Sequence, residues 1–530
     1  VILVLNVSNI MDISWIDSEV YKSRIKGVLI TWQGGMEGGN AAADILTGDV
    51  IPSGKLTDTI AYSINDYPST INYGGEHKNV YQEDIYVGYR YFETFCPEKV
   101  QFEFGFGLSY TEFEIKCQKA HLKIINDEEY IEVNATVKNT GTRYPGKEVV
   151  QIYFEAPQGK LGRPKRILAA FKKTRLLEPG ESQSVTISFP VNRMAAYDDG
   201  GYTGNASCYV LESGEYFLYA GNSVRNTIRI PFEGKDCLLI PELRVVEQLE
   251  EAMRPVEPFK RMRPGRRKED GTYEIAYEDV PTRQVSLSER IEKNLPAPIP
   301  QTEDKGYKLR DVYDKKVTID DFVAQLSDED LAALVRGEGP GSPWVTPGTT
   351  SAFGGITDSL LKFGIPIACT ADGPSGIRME SGHKATLLPI GTLLAATWDV
   401  GLVEELYIME GKELVRNGID MLLGPGLNIR RNPLNGRNFE YFSEDPLISG
   451  LFATASVRGI MKGGSNATLK HFACNNQEKF RTKVNAVVSE RALREIYLKG
   501  FEIAVRQGGA NGIMTSYNPI NGHWSASNYD

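Results

Sequence analysis

Four short apolar runs recur through the last third of the chain: IPIACT (365–370), DMLLG (420–424), ATLKHF (467–472) and GIMTSY (512–517). Helical patterns separate them, and the repeat is roughly 45–50 residues. Strands joined through helices pair in parallel, because the helix carries the chain back to the starting end of the sheet. The loop after each strand is long, which makes a (β/α) barrel the natural assembly, with its chemistry at the carboxyl ends of the strands. Four units are half of an eight-stranded barrel. Residues 313–530 are therefore expected to be the N-terminal part of a (β/α)8 TIM-like barrel domain.

Each of these strands runs into polar side chains. TADGPSGIR follows the first and supplies Asp372 and Arg378; GPGLNIRRNPLNGRNFEYFSEDP follows the second and supplies Arg437. The third ends in Lys470 and His471, the fourth in Tyr517 and Asn518. A regular strand sends successive side chains to opposite faces, so Lys470 and His471 share a direction only where the strand ends. Singly, each feature has a structural explanation: an Asp before Gly-Pro forms turns, and SEDP starts helices. Four coincident strand ends point instead to a site. Zinc is disfavoured, since there is neither HExxH nor a His/Cys ligand spacing. A phosphate suits the cations but not Asp372. A sugar suits them all, because its hydroxyls donate to a carboxylate and accept from Lys, Arg and His. No metal and no cofactor are expected.

Upstream, residues 1–109 read as a partial α/β sandwich domain. VILVLNV looks like a strand covered on both faces, and KGVLITW leads through the Gly-rich QGGMEGGN into a helix from Asn40 to Leu46. Residues 110–235 carry period-two strands punctuated by turns, with Ile131, Val133, Ala135 and Val137 on one face and Val185, Ile187 and Phe189 on another. That pattern predicts an antiparallel β-sandwich of fibronectin type III size. Residues 236–312, rich in proline and mixed charge, read as a linker wrapping another domain, with RMRPGRRK as a solvated part of it. Thr318 and Ser327, each with an Asp three residues on, predict helix starts, and Gly337 a stop. The class is thus multidomain, α/β plus all-β.

The formal net charge of −10 argues against a nucleic-acid partner. No apolar run approaches the roughly 18 residues of a membrane span. Six scattered cysteines read as buried thiols in a reducing compartment, hence a cytoplasmic location. A homo-oligomer stays open. The opening on VILVLNV and the ending on NGHWSASNYD suggest a chain cut at both ends.

ADGPSGIR, GRNFEYFSEDP, KHFACNNQE, SERALREIYLKGFEIAV and MTSYNPINGHW resemble the barrel domain of glycoside hydrolase family 3 β-glucosidases. TWQGGMEGGNAAADILTGDVIPSGKL and FEFGFGLSYT resemble that family's α/β sandwich domain, and NTGTRYPGKEVVQIY its fibronectin type III-like domain. The domain order is the reverse of the family's usual one, as in a minority of bacterial members. The resemblance implies a retaining exo-β-glycosidase acting on terminal, non-reducing β-D-glucosyl residues of a small β-glucoside or cello-oligosaccharide. Such enzymes use an Asp nucleophile and a Glu acid/base about 5–5.5 Å apart. By resemblance both are expected outside this chain, with Asp530 no stand-in, so the segment alone should be poorly folded and inactive. The resemblance gives Asp372, Arg437, Lys470 and His471 the sugar hydroxyls, lets Arg378 brace Asp372 or bind directly, and sets Tyr517 beside the nucleophile. Glu440, Glu444, Asp445 and Glu478 read better as ion pairs and caps than as catalytic groups. Trp15, Trp32 and Trp524 default to core packing. KHFACNNQE lacks the histidine of the N-acetylglucosaminidase branch. Glucose, xylose and arabinose specificity are not separated, and a sugar-binding homologue without catalysis is the alternative.

Overall fold

The computed structural model describes residues 1–529; Asp530 lies outside them. At the N-terminus, Ile2–Leu5 pairs in parallel with Gly27–Ile30, and the helix Gly38–Thr47 is closed by Gly48 at φ 86°. Leu3 and Leu5 pack against Ile13, Ile16 and Ile60. The expectation of a strand covered on both faces is not met: Ile2 and Val4 are exposed, because no described element packs over that side.

Two antiparallel sheets form a sandwich. One joins Glu128–Asn139 to Ser182–Pro190, Phe113–Cys117 and His121–Ile125; the other centres on Val149–Glu155 and Gly214–Gly221. Ile131, Val133, Ala135, Val137, Val185, Ile187 and Phe189 are all buried between them. Alternation along an antiparallel strand thus gives the inner face directly.

The stretch 236–312 is more structured than its prolines suggest. Leu238–Ile240 extends the second sheet, Arg244–Gln248 pairs with Cys208–Leu211, and Lys260–Arg267 forms a hairpin with Tyr273–Asp279. The cluster RMRPGRRK is not simply solvated. Arg261 is buried, paired with Asp199 at 2.7 Å and Glu278 at 2.8 Å, because carboxylates from two other segments neutralise it there.

The half-barrel sheet comprises β1 (Ser351–Gly354), β2 (Ile367–Asp372), β3 (Met421–Leu423), β4 (Asn466–Phe472) and β5 (Gly512–Thr515). β2 to β5 run parallel, and β1 pairs antiparallel with β2. Helices α1 (Val400–Arg416), α2 (Pro446–Gly463) and α3 (Lys499–Gly508) cover it. The predicted caps are present: Thr318 with Asp321, Ser327 with Asp330, and Gly337 after the second of these helices. β5 has no second strand partner among the described residues, and its Ile513 is exposed.

The N-terminal half does not merely precede the barrel. Lys78–Val80 pairs in parallel with Asn485–Val487, in a loop of the barrel half. Tyr81, Tyr89 and Phe92 share one core with Trp398, Phe442 and Phe452. Of the six cysteines, Cys117 and Cys237 are only half-buried, the other four buried as expected, and all are free.

Candidate functional site

Asp372 is the last residue of β2, where its carboxylate leaves the sheet. Its Oδ1 accepts from the Gly373 amide at 2.9 Å and from Lys470 Nζ at 2.7 Å. Lys470 is buried and lies 3.9 Å from Glu440 Oε2, while Glu440 pairs with Arg437. Two carboxylates and two cations therefore alternate around one spot. Burial would raise the Asp372 carboxyl, but the Lys470 ammonium and, more distantly, the Arg437 guanidinium outweigh it and hold it below the usual range. About a third of the Asp372 side chain stays exposed, which leaves an ionised acceptor open to a ligand.

Lys470 and His471 are neighbours in sequence, and both are buried at this strand end. The ladder between β4 and β5 slips between Lys470 and Phe472, and such an irregularity breaks strict alternation. Asn428 clamps the backbone there: the His471 amide donates to Asn428 Oδ1 at 2.9 Å, and Asn428 Nδ2 donates to the His471 carbonyl at 2.9 Å. The His471 Nδ1 faces the Tyr441 hydroxyl at 3.2 Å. Burial, then Arg437, Lys470 and Arg481, push the imidazole down to about 2, so it is neutral.

The loop that carries Arg437 is pinned by the N-terminal half. Arg430 pairs with Asp58 at 2.8 Å. Arg431 pairs with Glu83, donates to Asn79 Oδ1 at 2.7 Å and stacks on Tyr81 with its guanidinium 3.9 Å from the ring centre. Glu444 accepts from the Thr59 amide (2.9 Å), the Thr59 hydroxyl (2.8 Å) and the Tyr89 amide (2.7 Å). Asp445 caps α2 through the Leu447 and Ile448 amides and accepts from the Tyr89 hydroxyl at 2.7 Å. Burial, then the nearby Asp58, pushes the Glu444 carboxyl up to about 8. Glu444 and Asp445 are thus anchors. Glu478 pairs with Arg481 at 2.8 Å and accepts from Asn475 at 2.9 Å.

Asp372, Arg437, Lys470 and His471 therefore converge. Arg378 does not join them: only its backbone amide reaches Asp372, through the carbonyl, while its guanidinium is exposed and pairs with Glu380. The Gly-rich turn around it points the side chain outward. Tyr517 is exposed, carries the Arg481 guanidinium 5.0 Å from its ring centre, and connects through Arg481 and Glu478 to Asn475. Trp32 is buried, but Trp15 and Trp524 are exposed, against the expectation of core packing. Sequence reasoning missed Asn428, Tyr441 and Asn475. They are uncharged residues with no spacing signal; the fold brings Asn428 and Tyr441 to His471, while Asn475 follows it by four residues. Among the described residues no group of three or more acidic, His or Cys side chains could hold a metal ion, and no helix is long and apolar enough to cross a membrane.

One partly exposed acidic acceptor, two cationic donors and a neutral imidazole gathered at one strand end are complementary to vicinal hydroxyls. Comparison with known proteins points the same way. The family model for the glycosyl hydrolase family 3 N-terminal domain matches residues 301–529, that for the family 3 C-terminal domain residues 1–89, and a fibronectin type III-like domain residues 148–224. The domain called C-terminal thus comes first. A β-glucosidase from Ruminococcus albus is 49% identical over 531 residues, covering 100% of this chain and 54% of its own length. Beta-glucosidase A from Butyrivibrio fibrisolvens is 42% identical over 566 residues, covering 100% and 66%. A solved β-glucosidase from Paenibacillus barengoltzii superposes with a TM-score of 0.97 at 64% identity, covering 100% of this chain and 57% of that one. The chain spans between about half and two thirds of the length of these relatives.

Proposed function

We propose, since this chain belongs to glycosyl hydrolase family 3, that the whole protein is a retaining, exo-acting β-glucosidase. The observation that carries this reading is the convergence of Asp372, Arg437, Lys470 and His471. Asp372 accepts from two neighbouring hydroxyls of one terminal glucosyl ring. Lys470 and Arg437 donate to oxygens of the same ring while keeping Asp372 ionised, and His471 takes a further hydroxyl. Such a set holds a monosaccharide unit in one orientation, which is what a displacement at its anomeric carbon requires.

The nucleophilic carboxylate and the acid/base carboxylate belong, on this reading, to parts of the protein outside residues 1–530. The glucosidase names of the relatives support glucose over xylose or arabinose at the ring-binding position. The test is hydrolysis of p-nitrophenyl β-glucoside by the whole protein and by Asp372→Asn. Turnover that collapses in the variant supports the reading. Glucose binding without turnover would replace it with a sugar-binding protein, and equal turnover in the variant would remove Asp372 from the site.

A further inference from the structure

We propose that Tyr441 and Asn475 are positioning residues that hold His471 as the tautomer protonated on Nε2, so that the ring presents a hydrogen-bond donor to its ligand. The sugar as that ligand rests on the reading above; the tautomer does not.

The hydrogen-bond distances favour one order of the protons. Asn475 Nδ2 lies 2.9 Å from Glu478 Oε1 and 2.8 Å from the Tyr441 hydroxyl oxygen. Glu478 is paired with Arg481, and an ionised carboxylate only accepts, so the amide nitrogen must face it. One of the two amide hydrogens goes to Glu478 and the other to the phenol oxygen. That oxygen then has a single proton of its own to give. His471 Nδ1 is 3.2 Å away, and the Asn475 carbonyl is 3.4 Å away. The Asn475 amide nitrogen itself also lies 3.5 Å from Nδ1. Both amide hydrogens being committed, the phenol proton is the donor at Nδ1, the nearer of its two acceptors, and a lone pair there is the complementary state. The neutral ring's one proton sits on Nε2, which has no protein partner among the described residues.

The arrangement is also rigid. Tyr441 and Asn475 are buried, and Asn428 fixes the His471 backbone from the other side. The charges that hold the ring in its neutral form are those of Arg437, Lys470 and Arg481. All are cations, so none competes as an acceptor for the Nε2 proton. A ligand oxygen reaching Nε2 would accept that proton. The relay begins at Arg481 and Glu478, which gives these two residues, outside the sugar contact itself, a defined role.

The test uses the whole protein labelled with 15N in its histidines, with His471 assigned by the signal missing from His471→Gln. At neutral pH the wild-type ring is expected to show an unprotonated Nδ1 and a protonated Nε2. In Tyr441→Phe the same ring should become a mixture of the two tautomers, and kcat/KM on p-nitrophenyl β-glucoside should fall roughly tenfold. If Tyr441→Phe does not fold, Asn475→Ala carries the same expectation. A wild-type ring protonated on Nδ1 overturns the proposal. So does a variant that folds and keeps the pure wild-type tautomer. A wild-type protein with the expected tautomer but no hydrolysis would refute the glucosidase reading and leave the tautomer assignment standing.

Discussion

Replacing Lys470 with Met tests whether Asp372 and Lys470 act as one unit. The methionine keeps most of the buried aliphatic length and removes only the charge. Lys470 Nζ sits 2.7 Å from Asp372 Oδ1 and 3.9 Å from Glu440 Oε2. At an effective dielectric near 20, a pair of unit charges 4 Å apart interacts by about 4 kcal/mol. Asp372 is about a third exposed, so solvent screens part of this, and a coupling of about 1–3 kcal/mol is expected. Calorimetric titration of glucose into the whole protein, its Lys470→Met and Asp372→Asn variants and the double variant measures it. Lys470→Met should weaken binding roughly 10- to 100-fold, and adding Asp372→Asn should cost much less than it does alone. A pH series adds a second reading. Lys470 holds the Asp372 carboxyl below its ordinary value of 3.8, so the ionised form persists to low pH, and if Asp372 accepts from glucose hydroxyls the affinity is lost as pH falls through that depressed value. Without Lys470 the acid loss of affinity must move to higher pH. Losses that simply add, with a coupling under about 0.5 kcal/mol, and an unmoved acid limb would refute the reasoning.

Gly88→Ala should destabilise the seam between the N-terminal segment and the barrel by about 2–4 kcal/mol, since Gly88 has φ 57° and a Cβ there would fall within the Glu444 carboxyl group; a denaturation midpoint unchanged from wild type would contradict it. Burial raises the Glu444 carboxyl from 4.5 to about 8, so its contribution to stability is full below about pH 4.5 and is lost as pH rises through 8. Glu444→Gln should flatten the fall in melting temperature across that window. Arg378→Ala should change stability by no more than about 0.5 kcal/mol and leave glucose affinity within twofold, as its guanidinium is exposed and, among the described residues, pairs with Glu380 alone.

Much of this molecule is legible in the chain. Alternation exposes the inner face of the sandwich, from Ile131 to Val137 and from Val185 to Phe189, because a strand's side chains are sorted by a period of two. The caps at Thr318 and Ser327 are local hydrogen-bond chemistry and need no tertiary partner. Asp372, Arg437, Lys470 and His471 could be picked out because parallel βα units deliver strand ends to one side of a sheet. Arg378 could not be excluded in the same way, since the direction of a side chain after a Gly-Pro turn depends on the turn. The basic cluster at 261–268 misled for a related reason: the carboxylates that bury Arg261 come from Asp199 and Glu278, and only Glu278 lies near it in sequence.

By itself the sequence determined the layers, the βα repeat and the identity of the charged side chains that meet at the strand ends. Those follow from periodicity and from short-range backbone chemistry. Tertiary structure alone decided that the N-terminal segment would pin the Arg437 loop through Asp58, Glu83 and Thr59, and that Tyr441 and Asn475 would stand behind His471. Apart from Asn475, four residues after His471, these contacts join residues tens to hundreds of positions apart and depend on how burial, hydrogen bonding and charge are satisfied together in a packed interior, which no local pattern encodes.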